Sequence, residues 1–148
     1  MADRARVLGR TAIRRGNASA PARWLAENGL ICGTSLDYGC GHGKDADTFG
    51  MERWDPCWWP SHVPGRRGRK YDTVLCTYVL CVISNKEQQR VLAEIKRVLH
   101  PKGIAYLTVR RDRKDMARHH RMVRLNLPLV VEVPGRFAIY RMVKRDDV

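Results

Sequence analysis

The sequence predicts an α/β chain with a mostly parallel sheet and a C-terminal antiparallel hairpin, and three observations carry that expectation. Short β-branched and apolar runs alternate with stretches of helical periodicity, the pattern of parallel strands joined by helical crossovers. An acid and three alternating glycines, Asp37-Tyr38-Gly39-Cys40-Gly41-His42-Gly43, follow the apolar residue Leu36. Such a segment reads as a strand entering a tight loop around a small ligand. Near the end of the chain, Pro134-Gly135 separates two strand-like segments, as in a hairpin.

The elements follow in order. Ser19 or Ala20 precedes a helix with Pro21 in its first turn; the helix carries Trp24 and Leu25 toward the core, and Asn28-Gly29 ends it. Leu30 and Ile31 lead through Gly33 to a strand over 35–38, and the helix after the glycine loop has only one or two turns before Gly50. A second strand is expected over 51–55. From Pro56 to Lys70, three prolines, two glycines and Arg66-Arg67-Gly68-Arg69-Lys70 predict a loop with no helix. Residues 71–77 have the composition of a buried strand. Ser84-Asn85-Lys86-Glu87 is a capping box for a helix whose apolar face is Val91, Leu92, Ile95, Val98 and Leu99. His100-Pro101-Lys102-Gly103 stops that helix, and 104–109 form another strand. Residues 110–124 are expected to be helical in part, and 129–133 with 136–143 form the hairpin.

With 148 residues, 44% of them apolar and 29% charged, the chain can build one medium-sized core and has little room for a second. Residues 1–18, rich in arginine, are read as a basic N-terminal arm, and residues 19–148 as a single domain. Lys and Arg outnumber Asp and Glu by 28 to 15, a net charge of +13 gathered in clusters, so polyanions are plausible partners. Five cysteines without knuckle spacing fit a reducing interior. The N-terminus lacks the apolar core of a secretion signal, and no run approaches the roughly 18 apolar residues needed to span a membrane. A cytoplasmic protein with no membrane partner is therefore expected; oligomeric state is not legible.

The glycine spacing separates the nucleotide-site alternatives. Gly39-x-Gly41-x-Gly43 is neither the Gly-x-Gly-x-x-Gly of a dinucleotide site nor a phosphate loop, because Lys44 is followed by Asp45. Amides at the start of the short helix are expected to receive a carboxylate or phosphate. Asp37-x-Gly39-x-Gly41-x-Gly43 resembles the first motif of class I S-adenosylmethionine-dependent methyltransferases. The resemblance runs from about Thr11 to Val109 and implies a reduced Rossmann-like domain that binds S-adenosyl-L-methionine. It places Asp37 under the methionine end of the cofactor, curves Gly39, Cys40, Gly41 and Gly43 around the sugar and amino acid portions, and assigns Asp55 to the ribose hydroxyls. It also matches 72–76 to the fourth strand of the family, with Tyr78-Val79-Leu80 near the methyl-transfer cleft. Thr11-Ala12-Ile13-Arg14-Arg15, 36–41 and 78–83 are similar to core segments of methyltransferases associated with DNA phosphorothioation.

Two departures accompany the likeness. The helix after the glycine loop is cut short, and the usual second helix and third strand are missing between Asp55 and Tyr71. The adenine pocket then lacks much of its usual wall. Cys57, Trp58 and Trp59 either replace that wall or cover the depleted sheet.

Methyl transfer from a sulfonium needs an aligned nucleophile more than an acid-base triad. Tyr78 is the candidate to orient an acceptor; His119 and His120 read better as a solvated basic face than as bases. Cys76-Thr77-Tyr78-Val79 does not match the Asp/Asn-Pro-Pro-aromatic signature of adenine amino methylation, which disfavours that acceptor. A ribose, another base position, a protein side chain and a small molecule stay open. Cys76 and Cys81 read as small core residues at least as well as nucleophiles. Cys32, Cys40, His42 and Cys57 lack the local pairs of a structural zinc site, so no metal is expected. Arg66, Arg67, Arg69 and Lys70 form one positive cluster; Arg110, Arg111, Arg113, Lys114, Arg118 and Arg121 form another. Both are candidates for following the phosphates of RNA or DNA. The reading is thus methyl transfer from S-adenosylmethionine to an undetermined acceptor, with RNA or DNA among the candidates. The alternative is a non-catalytic basic nucleic-acid-binding or regulatory protein on a reduced methyltransferase fold.

Overall fold

The structure, a computed structural model, describes residues 12–112 and 122–147. Most of the basic arm, together with Arg113, Lys114, Arg118, His119, His120 and Arg121, lies outside the described residues. Six strands form one sheet: β1 (Ser35–Tyr38), β2 (Glu52–Trp54), β3 (Tyr71–Thr77), β4 (Leu99–Arg110), β5 (Leu129–Val133) and β6 (Phe137–Val143). Their spatial order is β2-β1-β3-β4-β6-β5. The first four run parallel, and β6 joins β4 and β5 antiparallel. This is the reduced Rossmann-like sheet with a terminal hairpin that the sequence predicts.

Among the described residues, three α-helices pack on the two faces of the sheet. α1 (Ala20–Glu27) and α2 (Lys44–Phe49) lie on one face, where Leu25, Ala46 and Met51 pack with Leu75, Tyr106 and Ile139. The period-2 alternation of β3 sends Val74 and Cys76 to the other face, against Leu92, Ile95 and Val98 of α3 (Asn85–Val98). Capping chemistry sets two of the helix starts. Ser19 Oγ accepts the Ala22 amide at 3.3 Å, and Ser84 Oγ accepts the Glu87 amide at 3.3 Å.

Between β2 and β3 the described chain holds only a 3₁₀ turn at Arg66–Gly68, so β2 stays at the edge of the sheet. The expectation of a loop with no helix needs that small correction. No α-helix occurs in the described flanks of 110–124. β4 begins immediately after α3, earlier than predicted, because His100–Gly103 form a bulge: Tyr71 pairs with Leu99 but Thr73 with Ile104. Gly103 permits it, since a Cβ there would lie 2.6 Å from the Tyr71 carbonyl oxygen.

Candidate cofactor site

The parallel strands end together along one edge, where loops must leave the sheet and a ligand has access to backbone and side chains from several strands. A cavity of about 520 Å³ opens there, lined by the ends of β1, β2, β3 and β4, by the glycine loop, by residues of 12–19 and by one side of α3. Its size suits a drug-sized or nucleoside-sized ligand.

The loop is stapled to β2. The Gly39 and Cys40 amides both donate to the Trp54 carbonyl, at 2.8 and 3.0 Å. Gly39 adopts φ +75°, and a Cβ on it would fall 2.5 Å from Val79 Cγ2. The space that excludes a side chain there is thus internal, where the loop packs on the segment after β3. Gly43, at φ +89°, turns the chain into α2. α2 has six residues and carries Asp45 and Asp47 in its first turn. The charge of these two carboxylates in the first turn disfavours the anion expected at the helix start.

Asp37 is 2% exposed and lines the cavity, and no hydrogen bond to its carboxylate occurs among the described residues. Burial pushes its pKa well above the ordinary carboxylate range, the charges of Asp45 and Asp55 push the same way, and Arg53 opposes them. Asp55 also lines the cavity, but its oxygens already serve the loop. Oδ2 accepts the Gly41 amide at 2.9 Å, and Oδ1 accepts Cys57 and Trp58 amides at 2.8 and 3.1 Å. A carboxylate has about four acceptor sites, so Oδ2 keeps a lone pair for a ligand hydroxyl. Cys40 lines the cavity with a thiol pushed up by burial.

Cys57 does not reach the cavity wall as a side chain; it contributes its amide to Asp55. Trp58 stacks on His42 with ring centroids 4.1 Å apart, and the Arg53 guanidinium lies 4.5 Å from the Trp59 ring centroid. The two tryptophans of this segment thus contact the glycine loop through His42 and the edge strand β2 through Arg53.

Tyr78 lines the cavity in a left-handed conformation, φ +62°, rare for an aromatic residue. Its amide donates to the Thr108 carbonyl at 2.9 Å, and guanidinium carbons of Arg110 and Arg15 lie 5.0 and 6.0 Å from its ring centroid. Burial raises its pKa while the two arginines oppose the shift. Strain of this kind persists only where surrounding structure enforces it, and it concentrates at ligand sites.

The basic residues divide differently from their sequence clusters. Arg110 is 8% exposed, faces the cavity and pairs with Asp112 at 3.2 Å. Arg111 is buried and donates to Glu132 at 2.9 Å, the Val123 carbonyl at 2.8 Å and the Tyr140 hydroxyl at 2.9 Å. A phosphate-following surface at Arg111 is therefore corrected, since a buried guanidinium with its donors engaged has no face for a polyanion, and Arg110 faces the cavity instead of an outer surface. Arg66, Arg67, Arg69 and Lys70 are exposed and do not line the cavity. Arg69 pairs with Glu52 at 2.5 Å, and Lys70 donates to the Arg97 carbonyl at 2.6 Å, near the end of α3.

Several long-range contacts of the cavity residues were not legible in the sequence. Ser19 and Asp45 lie 26 positions apart, yet Asp45 accepts the Ser19 amide at 2.6 Å and its hydroxyl at 2.7 Å. This pair closes α1 over the glycine loop. Tyr38 donates its hydroxyl to Glu94 of α3, 56 positions away, and its ring lies 4.6 Å from that of Trp54. Ala12 and Ile13 also line the cavity.

The sequence profile of the family described as a methyltransferase domain matches residues 10–144. Solved structures share the architecture. SibL, an S-adenosylmethionine-dependent methyltransferase in its apo form, is 11% identical, with TM-score 0.60 over 83% of this chain and 53% of its own. The 1,6-didemethyltoxoflavin-N1-methyltransferase of Burkholderia thailandensis, with bound 1,6-didemethyltoxoflavin and S-adenosylhomocysteine, is 18% identical, with TM-score 0.57 over 86% of this chain and 78% of its own. A methyltransferase of Thermotoga maritima is 14% identical, with TM-score 0.59 over 97% of this chain and 94% of its own. This chain spans about half the length of SibL, and 51% of a protein solved in work on disulfide-to-thioacetal conversion in echinomycin biosynthesis. No curated protein sequence matches. Identities this low establish shared architecture, while the profile spans nearly the whole chain: the protein belongs to the methyltransferase domain family.

Proposed function

We propose that this protein transfers a methyl group from S-adenosylmethionine to a small acceptor. The observation that carries the proposal is Asp37, a buried carboxylate with no hydrogen-bond partner among the described residues, placed at a strand end beside Asp45 and Asp55. Such a group awaits a cation. S-adenosylmethionine brings an ammonium and a sulfonium, a ribose diol for the free acceptor site on Asp55, and a size that the cavity accommodates.

When bound, the sulfonium supplies an already activated methyl group. The protein's residues then bind and align. Asp37 would hold the methionine ammonium, Gly39, Cys40, Gly41 and Gly43 would shape the loop around the amino acid and sugar portions, and Asp55 would fix the ribose. Tyr78, held by its constrained backbone, would orient the acceptor nucleophile. Alignment of this kind supplies a large share of the rate.

Charge favours a small acceptor over RNA or DNA. Among the described residues, five acids line the cavity, namely Asp37, Asp45, Asp55, Glu87 and Glu94, against four basic residues, Arg15, Lys44, Arg90 and Arg110. A polyanion would meet these opposing carboxylates inside. The core likeness to phosphorothioation-associated methyltransferases concerns cofactor-side segments and specifies no acceptor. Calorimetric titration with S-adenosylmethionine tests donor binding, and labelled methyl incorporation into metabolite, RNA, DNA and protein fractions tests transfer. Binding followed by label in the metabolite fraction supports the proposal. Absence of binding removes it, and tight RNA binding without turnover selects the non-catalytic alternative.

A further inference from the structure

The missing segment after β2 changes who builds the cavity wall. The described chain places no strand beyond β2 and no α-helix between β2 and β3, and the Trp58-Trp59 stretch that follows turns to His42 and Arg53 instead of the cavity. The β2 side of the face looking toward α3, where Trp54 is half-buried, is thereby opened to the ligand. Its floor is the half-buried Trp54 ring, which leans on the buried Tyr38 ring beside it in parallel register, with tilted rings 4.6 Å apart. Its wall is one side of α3, where Arg90, Val91 and Glu94 face the cavity at helical spacing.

Glu94 is the polar group best placed within this chamber. The Tyr38 hydroxyl donates to one of its oxygens, Oε2, which orients the carboxylate and leaves acceptor capacity for a ligand N–H. An aromatic floor with a fixed carboxylate at its edge has the chemistry to take a flat heteroaromatic ring bearing an exocyclic amine. The floor supplies stacking surface, and the carboxylate accepts the amine hydrogens. A ring with a carbonyl oxygen at the same place would set two acceptors against each other.

We infer that Glu94, held by Tyr38 and lining the same cavity as Trp54, is the specificity-determining residue for the purine of the methyl donor, reading its 6-amino group from α3 in place of the wall the chain lacks. The inference rests on the donor reading above and goes beyond it. The donor reading depends on Asp37 and Asp55 at the strand ends, whereas this one depends on a helix on the other side of the cavity.

The test is calorimetric titration of the full chain with S-adenosylhomocysteine and with its inosine counterpart, which carries oxygen in place of the 6-amino group. The wild-type chain is expected to prefer the adenosine form by roughly ten- to a hundredfold, the range of one charge-assisted hydrogen bond. Glu94→Ala is expected to bind the two forms equally, because the adenosine form loses affinity while the inosine form does not, and Tyr38→Phe, which keeps the ring and frees the carboxylate, to reduce the preference part way. If the wild-type chain binds both forms equally, or Glu94→Ala keeps the full preference, Glu94 does not read the purine and the inference falls while the donor reading stands. If neither form binds the wild-type chain, the donor reading itself falls and takes the inference with it. The wild-type comparison needs no substitution and decides the matter even where a variant fails to fold.

Discussion

Asp55 and Gly41, 14 positions apart, are joined by a 2.9 Å hydrogen bond from the Gly41 amide to Asp55 Oδ2. The residue that the family likeness assigns to a ribose also holds the glycine loop in shape. Its other oxygen closes the turn that follows β2 through the Cys57 and Trp58 amides.

Asp55→Ala is accordingly expected to do two things at once. Loss of three amide bonds to a charged acceptor lowers stability by about 2–3 kcal/mol, and donor affinity falls because both the loop and the hydroxyl acceptor are lost. Thermal unfolding and calorimetry check the two effects. A variant of unchanged melting temperature and unchanged affinity would remove Asp55 from both roles.

Asp37 carries the opposite relation between stability and function. Its folded-state pKa is raised above the ordinary carboxylate value, so in the window between the two values the folded protein holds the extra proton. Stability contributed by this group is fully present below the unfolded value and is lost as pH rises through the folded one. Asp37→Asn is expected to remove that decline and to stabilise the ligand-free protein near neutrality by on the order of 1–3 kcal/mol. Donor affinity should fall in the same variant. Denaturant melts across pH, paired with donor titration, would reject the assignment if Asp37→Asn lost stability while keeping affinity.

Binding a cationic donor beside Asp37 favours the ionised carboxylate, so binding is expected to release protons and to tighten as pH rises through the raised pKa. Calorimetry in buffers of different ionisation enthalpy measures that release directly. A heat independent of buffer throughout the window would contradict it.

Ser19 and Asp45 are expected to couple. Removing either leaves the other's buried polar group unmatched, so Ser19→Ala and Asp45→Ala should each cost about 1–3 kcal/mol and the double variant less than their sum. Additive losses would show that the pair does not act as a unit.

Tyr78 separates backbone from ring. Tyr78→Phe keeps the packing and the guanidinium contacts, and turnover is expected to fall roughly ten- to a hundredfold through lost acceptor alignment with little change in donor affinity. Full turnover in Tyr78→Phe would exclude the hydroxyl from that task.

What the sequence determined by itself was local and periodic. The β-branched and aromatic composition of β3, the capping serines Ser19 and Ser84, the glycine spacing from Gly39 to Gly43 and the proline-rich break after Asp55 are short-range features, and each acts within a turn or two of chain. They sufficed for the order of elements, the hairpin and the place of the cavity at the strand ends. Tertiary structure alone decided which polar groups are spent and which are free. Asp55 is engaged by loop amides whereas Asp37 is not, Arg111 is drawn inside by Glu132 and Tyr140, and Tyr38 meets Glu94 across 56 positions. Burial and hydrogen bonding between distant segments depend on how the layers pack, and no local pattern carries that information.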